Sequence, residues 1–147
     1  MNEKLVEAWM TPNPIVVAAT ERMLTAYEVM EVGQVRHLPV VMMVGSRRVV
    51  GFVTKNSLRQ SELETAVLYS QSEIRNLASS LKTVGEVMIT PFPFVAPNDP
   101  VTKVVKLMLD QKLTGVPVIA NDELVGIITE SDIFRYLLSR EAVQNGR

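Results

Sequence analysis

Apolar positions along this chain fall into two kinds of pattern, a three-to-four-residue spacing and short continuous runs, and the same order of patterns occurs twice. Leu5, Val6, Trp9 and Met10 share one helical face, which predicts a short opening helix. Pro12 and Pro14 end it and force extended backbone. Ile15 to Val17 reads as a short strand, with Thr20 the expected N-cap of the next helix. Met23, Ala26, Tyr27 and Met30 then give a helical face that Gly33 stops. Leu38 to Val44 predicts a buried strand, Gly45-Ser46 a turn and Val49 to Val53 the antiparallel partner, with a helix starting after Thr54.

The second pass begins with Val84, Val87 and Met88 on one helical turn and Phe94-Val95 as a strand. Asp99 is the expected cap of a helix with Pro100 at its first position, and Val101, Val104, Val105 and Met108 form its inner face. Val116 to Ala120, the turn Asn121-Asp122 and Leu124 to Ile128 give a second hairpin. The last helix starts after Thr129 and carries Ile133, Phe134 and Leu137. Each pass reads β-α-β-β-α, so the fold class is α/β (α+β). Landmarks recur at separations of 79 (Pro12 to Pro91), 78 (Pro39 to Pro117) and 75 residues (Gly51 to Gly126), the drop reflecting a longer first hairpin. A duplicated unit that cannot bury its apolar face alone packs on its copy, which predicts a cleft on a pseudo-twofold axis.

The boundaries that follow are residues 1–58 for the first repeat with its opening helix, 59–83 for a helical connector and 84–147 for the second repeat. In the connector, Leu63, Val67, Ser70, Ile74, Leu77 and Leu81 follow a 4-3-4-3-4 spacing, a narrow helical seam. The seam fits a connector packed on its own core, or a helix that pairs with a second subunit. Ser70-Gln71-Ser72-Glu73 matches a capping box, so a break near residue 70 is expected.

At 147 residues the chain has the size of one domain, and two marginal halves imply one body built from both. A net charge of -1 gives no bulk pull toward nucleic acid or anionic membrane. With no cysteine and a single histidine, His37, disulfides, Cys nucleophiles and His-based metal sites or triads are not expected. No apolar run reaches ~18 residues, and Met1-Asn2-Glu3-Lys4 lacks a signal-peptide layout, so a soluble, cytoplasmic protein is expected. No carboxylate pair stands with a recognisable nucleophile or base, so no enzyme is expected. Met42 and Met43 read as adaptable core filling and Lys103, Lys106 and Lys112 as a solvated face.

Three motifs recur in order: Met-x-Pro or Met-x-x-Pro (Met10 to Pro12, Met88 to Pro91), Leu/Val-Pro-Val (Leu38 to Val40, Val116 to Val118), and Gly-φ-φ-Thr with φ apolar (Gly51 to Thr54, Gly126 to Thr129). Together they resemble the cystathionine-β-synthase (CBS) domain family in its tandem arrangement, the Bateman module, over residues 5 to 139. The connector and Arg36-His37-Leu38-Pro39-Val40 are most similar to CBS pairs of the acetoin-utilisation type. That subgroup usually carries a C-terminal ACT-type domain, and the sequence as far as Arg147 holds none. The resemblance implies a regulatory module that needs no cofactor, binds an adenosyl nucleotide (AMP, ADP, ATP or S-adenosylmethionine) between its repeats, and forms a homodimer, a disc of four CBS repeats. The regulated partner protein is not named by the sequence.

The family's phosphoribose signature, Gly-φ-φ-[Ser/Thr]-x-x-Asp, is complete in the second repeat as Gly126 to Asp132. A carboxylate is acceptor-only and can take both ribose hydroxyls, while Thr129 sits at a helix N-terminus that favours an anion. Thr-x-x-Asp also reads as a helix cap, and the two readings are compatible. The first repeat has Ser57 in place of the Asp, leaving a weak or empty second site at Thr54, Ser57 and Thr20; Lys55 could attract phosphate there. The resemblance further implies that Arg36 and Thr114 face the phosphates and that adenine lies on the apolar backbone of Val95, Val116 and Pro117. Arg36 suits a phosphate because its planar fork makes two charge-assisted bonds, and it equally fits a surface arginine. His37 reads as a strand-edge residue beside the ligand. The alternative function is a dimerisation scaffold without nucleotide, toward which the missing aspartate in the first repeat counts.

Overall fold

The computed structural model describes residues 2–66 and 82–145, and the seam from Val67 to Leu81 lies outside them. Contacts divide the chain into two compact units, Ile15–Phe92 and Met1–Pro14 with Pro93–Arg147. The division differs from the repeat order in two respects: residues 1–14, expected with the first repeat, fall in the unit of the second, and residues 84–92, expected with the second repeat, fall in the unit of the first.

In the Ile15–Phe92 unit, β2 (Val17–Ala18) runs parallel to β3 (His37–Val41), which pairs antiparallel with β4 (Val49–Thr54), giving a β2-β3-β4 sheet. Helix α1 (Met23–Gly33) and helix α2 (Lys55–Ala66) complete β-α-β-β-α, and a single turn, α3 (Val84–Val87), follows the undescribed segment. Met23, Ala26, Leu38, Val40, Val53, Leu58 and Val84 form the core. The apolar spacing of α1 thus does what it predicts, but its ends differ from expectation. The N-cap is Arg22 rather than Thr20, because the chain first turns through the Glu21 N–H bond to Ala18 and Arg22 bridges Thr83. The helix stops on Gln34, left-handed at φ 56°, one residue after Gly33.

In the other unit, α4 (Val101–Gln111), β5 (Gly115–Ala120), β6 (Glu123–Thr129) and α5 (Glu130–Asn145) follow in order, with β1 (Thr11–Pro12) added to the edge of β6. The expected strand Phe94-Val95 is reduced to one parallel bridge, Val95 to Val118. Asp99 caps no helix: its carboxylate accepts the Ala96 N–H at 2.8 Å and pairs with Lys103, and Pro100 is the N-cap. Asn121 and Asp122, both at positive φ, make the tight two-residue hairpin turn. The two hairpins carry the same irregularity, a register shift at Val40/Val41 and at Val118/Ile119, 78 residues apart.

The opening segment joins this unit through specific contacts. It forms a short 3₁₀ turn (Val6–Ala8) rather than a full helix. Val6 is buried with Val101, Val104 and Ile133, and Trp9 packs edge-on against Tyr136 at 5.6 Å. Met10 lies over Gly126, where a Cβ would come within 2.6 Å of its Sδ and 3.0 Å of the Thr11 carbonyl oxygen. In the first unit Met88 lies over Gly51 in the same way, and Ile89 bridges Phe52 as β1 pairs with β6. The Met-x-Pro and Gly-φ-φ-Thr motifs are therefore two halves of one contact, made once in each unit. Gly51→Ala and Gly126→Ala are each expected to lower unfolding free energy by about 1–3 kcal/mol in urea titrations, the usual cost of overpacking. Unchanged midpoints would show that the methionines yield freely.

One sequence expectation about exposure fails. Met42 and Met43 are exposed beside Val44, because β3 ends at Val41 and the chain leaves the sheet before the Gly45 turn. On α5, Ile133 and Tyr136 face the core while Phe134, Leu137 and Leu138 are each more than half exposed. Among the described residues no helix is long and apolar enough to cross a membrane.

Candidate functional site

The β5–β6 hairpin and the start of α5 build one corner of the second unit. Register puts Gly115 opposite Thr129, and the Glu130 N–H donates to the Thr114 carbonyl at 3.0 Å. Thr114, Thr129 and Asp132 therefore meet where the strand hands over to the helix. The Asp132 side chain is 3% exposed. Its Oδ2 accepts the Thr129 N–H at 2.9 Å and the Thr129 hydroxyl at 3.3 Å, and its Oδ1 accepts Arg135 Nη2 at 2.6 Å. A buried carboxylate needs such donors, because an uncompensated charge in a low-dielectric site is costly. The capping role read from Thr-x-x-Asp is present, and with it a concentrated acceptor at the positive end of a 16-residue helix.

Val95, Val116 and Pro117 lie behind this corner. The Val95 N–H donates to the Pro117 carbonyl at 3.1 Å, and the Ile119 N–H to the Val95 carbonyl at 2.8 Å. The side chains of Val95 and Val116 are in the core, so these positions offer a ligand backbone and not side chain.

The first unit repeats the corner with different chemistry. His37 pairs with Thr54, and the Lys55 N–H donates to the Arg36 carbonyl at 3.0 Å. Ser57 completes a reciprocal cap: its N–H donates to Thr54 Oγ1 at 3.0 Å, and its hydroxyl accepts the Thr54 N–H at 2.9 Å. The same hydroxyl donates to the Thr54 carbonyl at 3.0 Å, which spends its only proton. Ser57 satisfies its own helix end and supplies no anionic acceptor. Thr20 is exposed in the turn before α1.

Arg36 is exposed, and with Lys55 it gives a cationic side to a surface groove of about 440 Å³ between the end of α1 and the start of α2, where Glu31 and Gln34 also line it. His37 is half-buried and stacks on Phe52 at 6.0 Å. Burial first, and then the neighbouring Arg36 charge, pull its pKa down to about 4. At neutral pH it is an uncharged ring and adds no positive charge for a phosphate. Among the described residues no group of His, Asp and Glu could hold a metal ion.

Sequence reasoning missed Arg135, the third donor on Asp132. Its signal was available as the i, i+3 spacing of opposite charges on one helix, a spacing that brings side chains together. It also missed that each motif glycine is there to admit a methionine.

The family model described as CBS domain matches residues 6–64 and 84–139. Hypoxic response protein 1 of Mycobacterium tuberculosis is 35% identical over 75 residues, 48% of this chain and 52% of that protein. Inosine-5'-monophosphate dehydrogenase of Korarchaeum cryptofilum is 34% identical over 65 residues, 44% of this chain and 14% of that protein. The matches thus span about half, or less, of the length of these curated relatives. Among solved structures, a protein assigned to acetoin utilization (AcuB) from Vibrio cholerae is 29% identical, with a TM-score of 0.76, covering 97% of this chain and 96% of that one. CBSX2 in complex with AMP is 26% identical, TM-score 0.74, covering 93% and 98%. The CBS domain pair of MJ0100 in complex with 5'-methylthioadenosine and S-adenosyl-L-methionine is 25% identical, TM-score 0.69, covering 92% and 97%.

Proposed function

This chain belongs to the CBS domain family, as a tandem pair, and on that premise we propose that it is a regulatory module that senses an adenosyl compound at one good site per chain, centred on Asp132. The observation that carries the reading is the buried Asp132 carboxylate at the N-terminus of α5, an acceptor for a ribose diol held in place by Thr129. The ligands named with CBSX2 and MJ0100 (AMP, 5'-methylthioadenosine and S-adenosyl-L-methionine) differ in charge and in what the 5' position carries, and share the adenine and the ribose ring with its 2',3'-diol. Recognition through ribose and adenine, with Thr114 and Thr129 beside the 5' group, accounts for that common part. The module is read as non-catalytic: a ligand shifts its conformational equilibrium only through unequal affinity for two forms, and a bound partner protein receives the change.

A second reading, a dimerisation scaffold without nucleotide, is favoured by Ser57 and its self-satisfied cap. Thermal unfolding with AMP, ADP, ATP, S-adenosylmethionine or NAD at about 1 mM separates the two. A ligand at ~100 times its dissociation constant stabilises by ~2.7 kcal/mol, an easily measured shift. A shift with an adenosyl compound supports sensing; none with any of them leaves the scaffold.

Homodimerisation is part of the same reading, and α5 supports it. Phe134, Leu137 and Leu138 stand at i, i+3 and i+4, an exposed apolar stripe beside the one buried in the core. Phe134→Glu with Leu138→Glu is expected to convert a dimer to a monomer by light scattering while adenosyl binding persists. A wild-type protein that runs as a monomer would remove the dimer from the account.

A further inference from the structure

Asp132 has too few open acceptor positions for a ribose diol. A carboxylate offers about four lone-pair positions, two on each oxygen. Both donors of Thr129 fall on Oδ2, and Arg135 Nη2 falls on Oδ1. One position on Oδ1 remains, and a vicinal diol brings two donors.

The three donors are not equally free to leave. The Thr129 N–H bond to Oδ2 caps the end of α5, and releasing it would undo that cap, while the Thr129 hydroxyl bonds the same Oδ2 and leaves Oδ1 untouched. Arg135 reaches back three residues from a side chain that is 62% exposed, so its guanidinium can return to water at little cost. The carboxylate it covers is 3% exposed. Arg135 is thus the partner that yields, and its departure frees the second position on Oδ1.

Resting on the reading of Asp132 as the ribose-binding group, we infer that Arg135 is a latch: it occupies the face of Asp132 that an adenosyl ligand needs, and binding proceeds by displacing it into solvent. The latch sets the working affinity of the site and keeps the buried carboxylate neutralised. The first unit has no counterpart, because Ser57 carries no charge to be paired.

The test is calorimetric titration of wild type, Arg135→Met, Arg135→Lys and Asp132→Asn with adenosine, a neutral probe that isolates the diol from phosphate attraction. Arg135→Met, which keeps an apolar stem, is expected to bind adenosine about five- to tenfold more tightly, the range of a charge-assisted bond discounted for exposure. Its melting temperature without adenosine should fall, and Arg135→Lys should lie between it and wild type. Added salt, which screens the exposed ion pair, should tighten wild-type binding and leave Arg135→Met unchanged, a response that a purely structural role would not produce. Equal or weaker binding by Arg135→Met, with binding lost in Asp132→Asn, overturns the latch and leaves the ribose site standing. Binding that survives in Asp132→Asn, or that is absent from wild type and Arg135→Met alike, overturns both.

Discussion

Asp132→Ala should lower affinity for the adenosyl ligand by about 100-fold or more. Two hydroxyl bonds to a charged acceptor disappear together, and bonds to charged groups contribute about 1.5–3 kcal/mol each. The same substitution has a structural cost, because the Thr129 N–H and hydroxyl lose their acceptor and Arg135 loses its partner. Loss of such a cap typically costs about 1 kcal/mol. Asp132→Asn separates the two effects: an amide oxygen still accepts the Thr129 N–H, so stability largely returns, while the anionic acceptor is gone and binding stays weak. Calorimetry gives the affinities and urea unfolding the stabilities. Wild-type affinity in Asp132→Ala would show that the carboxylate serves only the helix.

Acidification should destabilise the protein through His37. Its pKa in the folded chain is about 4, against an ordinary 6.5, because burial and Arg36 disfavour the charged ring. The unfolded chain therefore binds more protons than the folded one between these values, and stability falls as pH falls. The contribution is complete above pH 6.5, about 2 kcal/mol smaller by pH 5, and gone once the pH has passed through about 4, where the total approaches about 3 kcal/mol. Burial and the Arg36 charge set this response, and the ring stacks on Phe52. Urea unfolding at pH 7.5 and pH 5 checks it, with His37→Gln as the variant whose loss on acidification should be smaller by about 2 kcal/mol. Parallel losses in both proteins would assign the acid response to carboxylates elsewhere.

The parts of the fold that could be read from the chain are those where one local signal decides. Val49 to Val53 and Leu124 to Ile128 are continuous apolar runs beside turn residues, and they fall inside β4 and β6. The paired motifs gave the family, and Thr129-x-x-Asp132 gave the cap that the helix uses. What could not be read depends on a partner distant in sequence. A two-residue strand such as β1 has no periodicity to specify its neighbour, and the fit of Met10 over Gly126 and Trp9 against Tyr136 brings residues 1–14 to the second unit. Thr20 and Asp99 are good capping residues, but the backbone turns before each helix and uses them elsewhere or not at all. Met42 and Met43 prolong an apolar run whose strand has already ended. The candidate site was legible as residues and not as wiring. That Ser57 spends its hydroxyl on Thr54, and that Arg135 closes on Asp132, are facts of three-dimensional geometry.

The stoichiometry of ligand binding tests the central claim most directly. Isothermal titration of the wild-type protein with AMP, and separately with S-adenosylmethionine, should give one bound ligand per chain with at least one of them, and none in Asp132→Ala. Two ligands per chain would contradict the assignment of Ser57 to an empty site, and no binding of either would contradict the sensing account and leave a scaffold in its place.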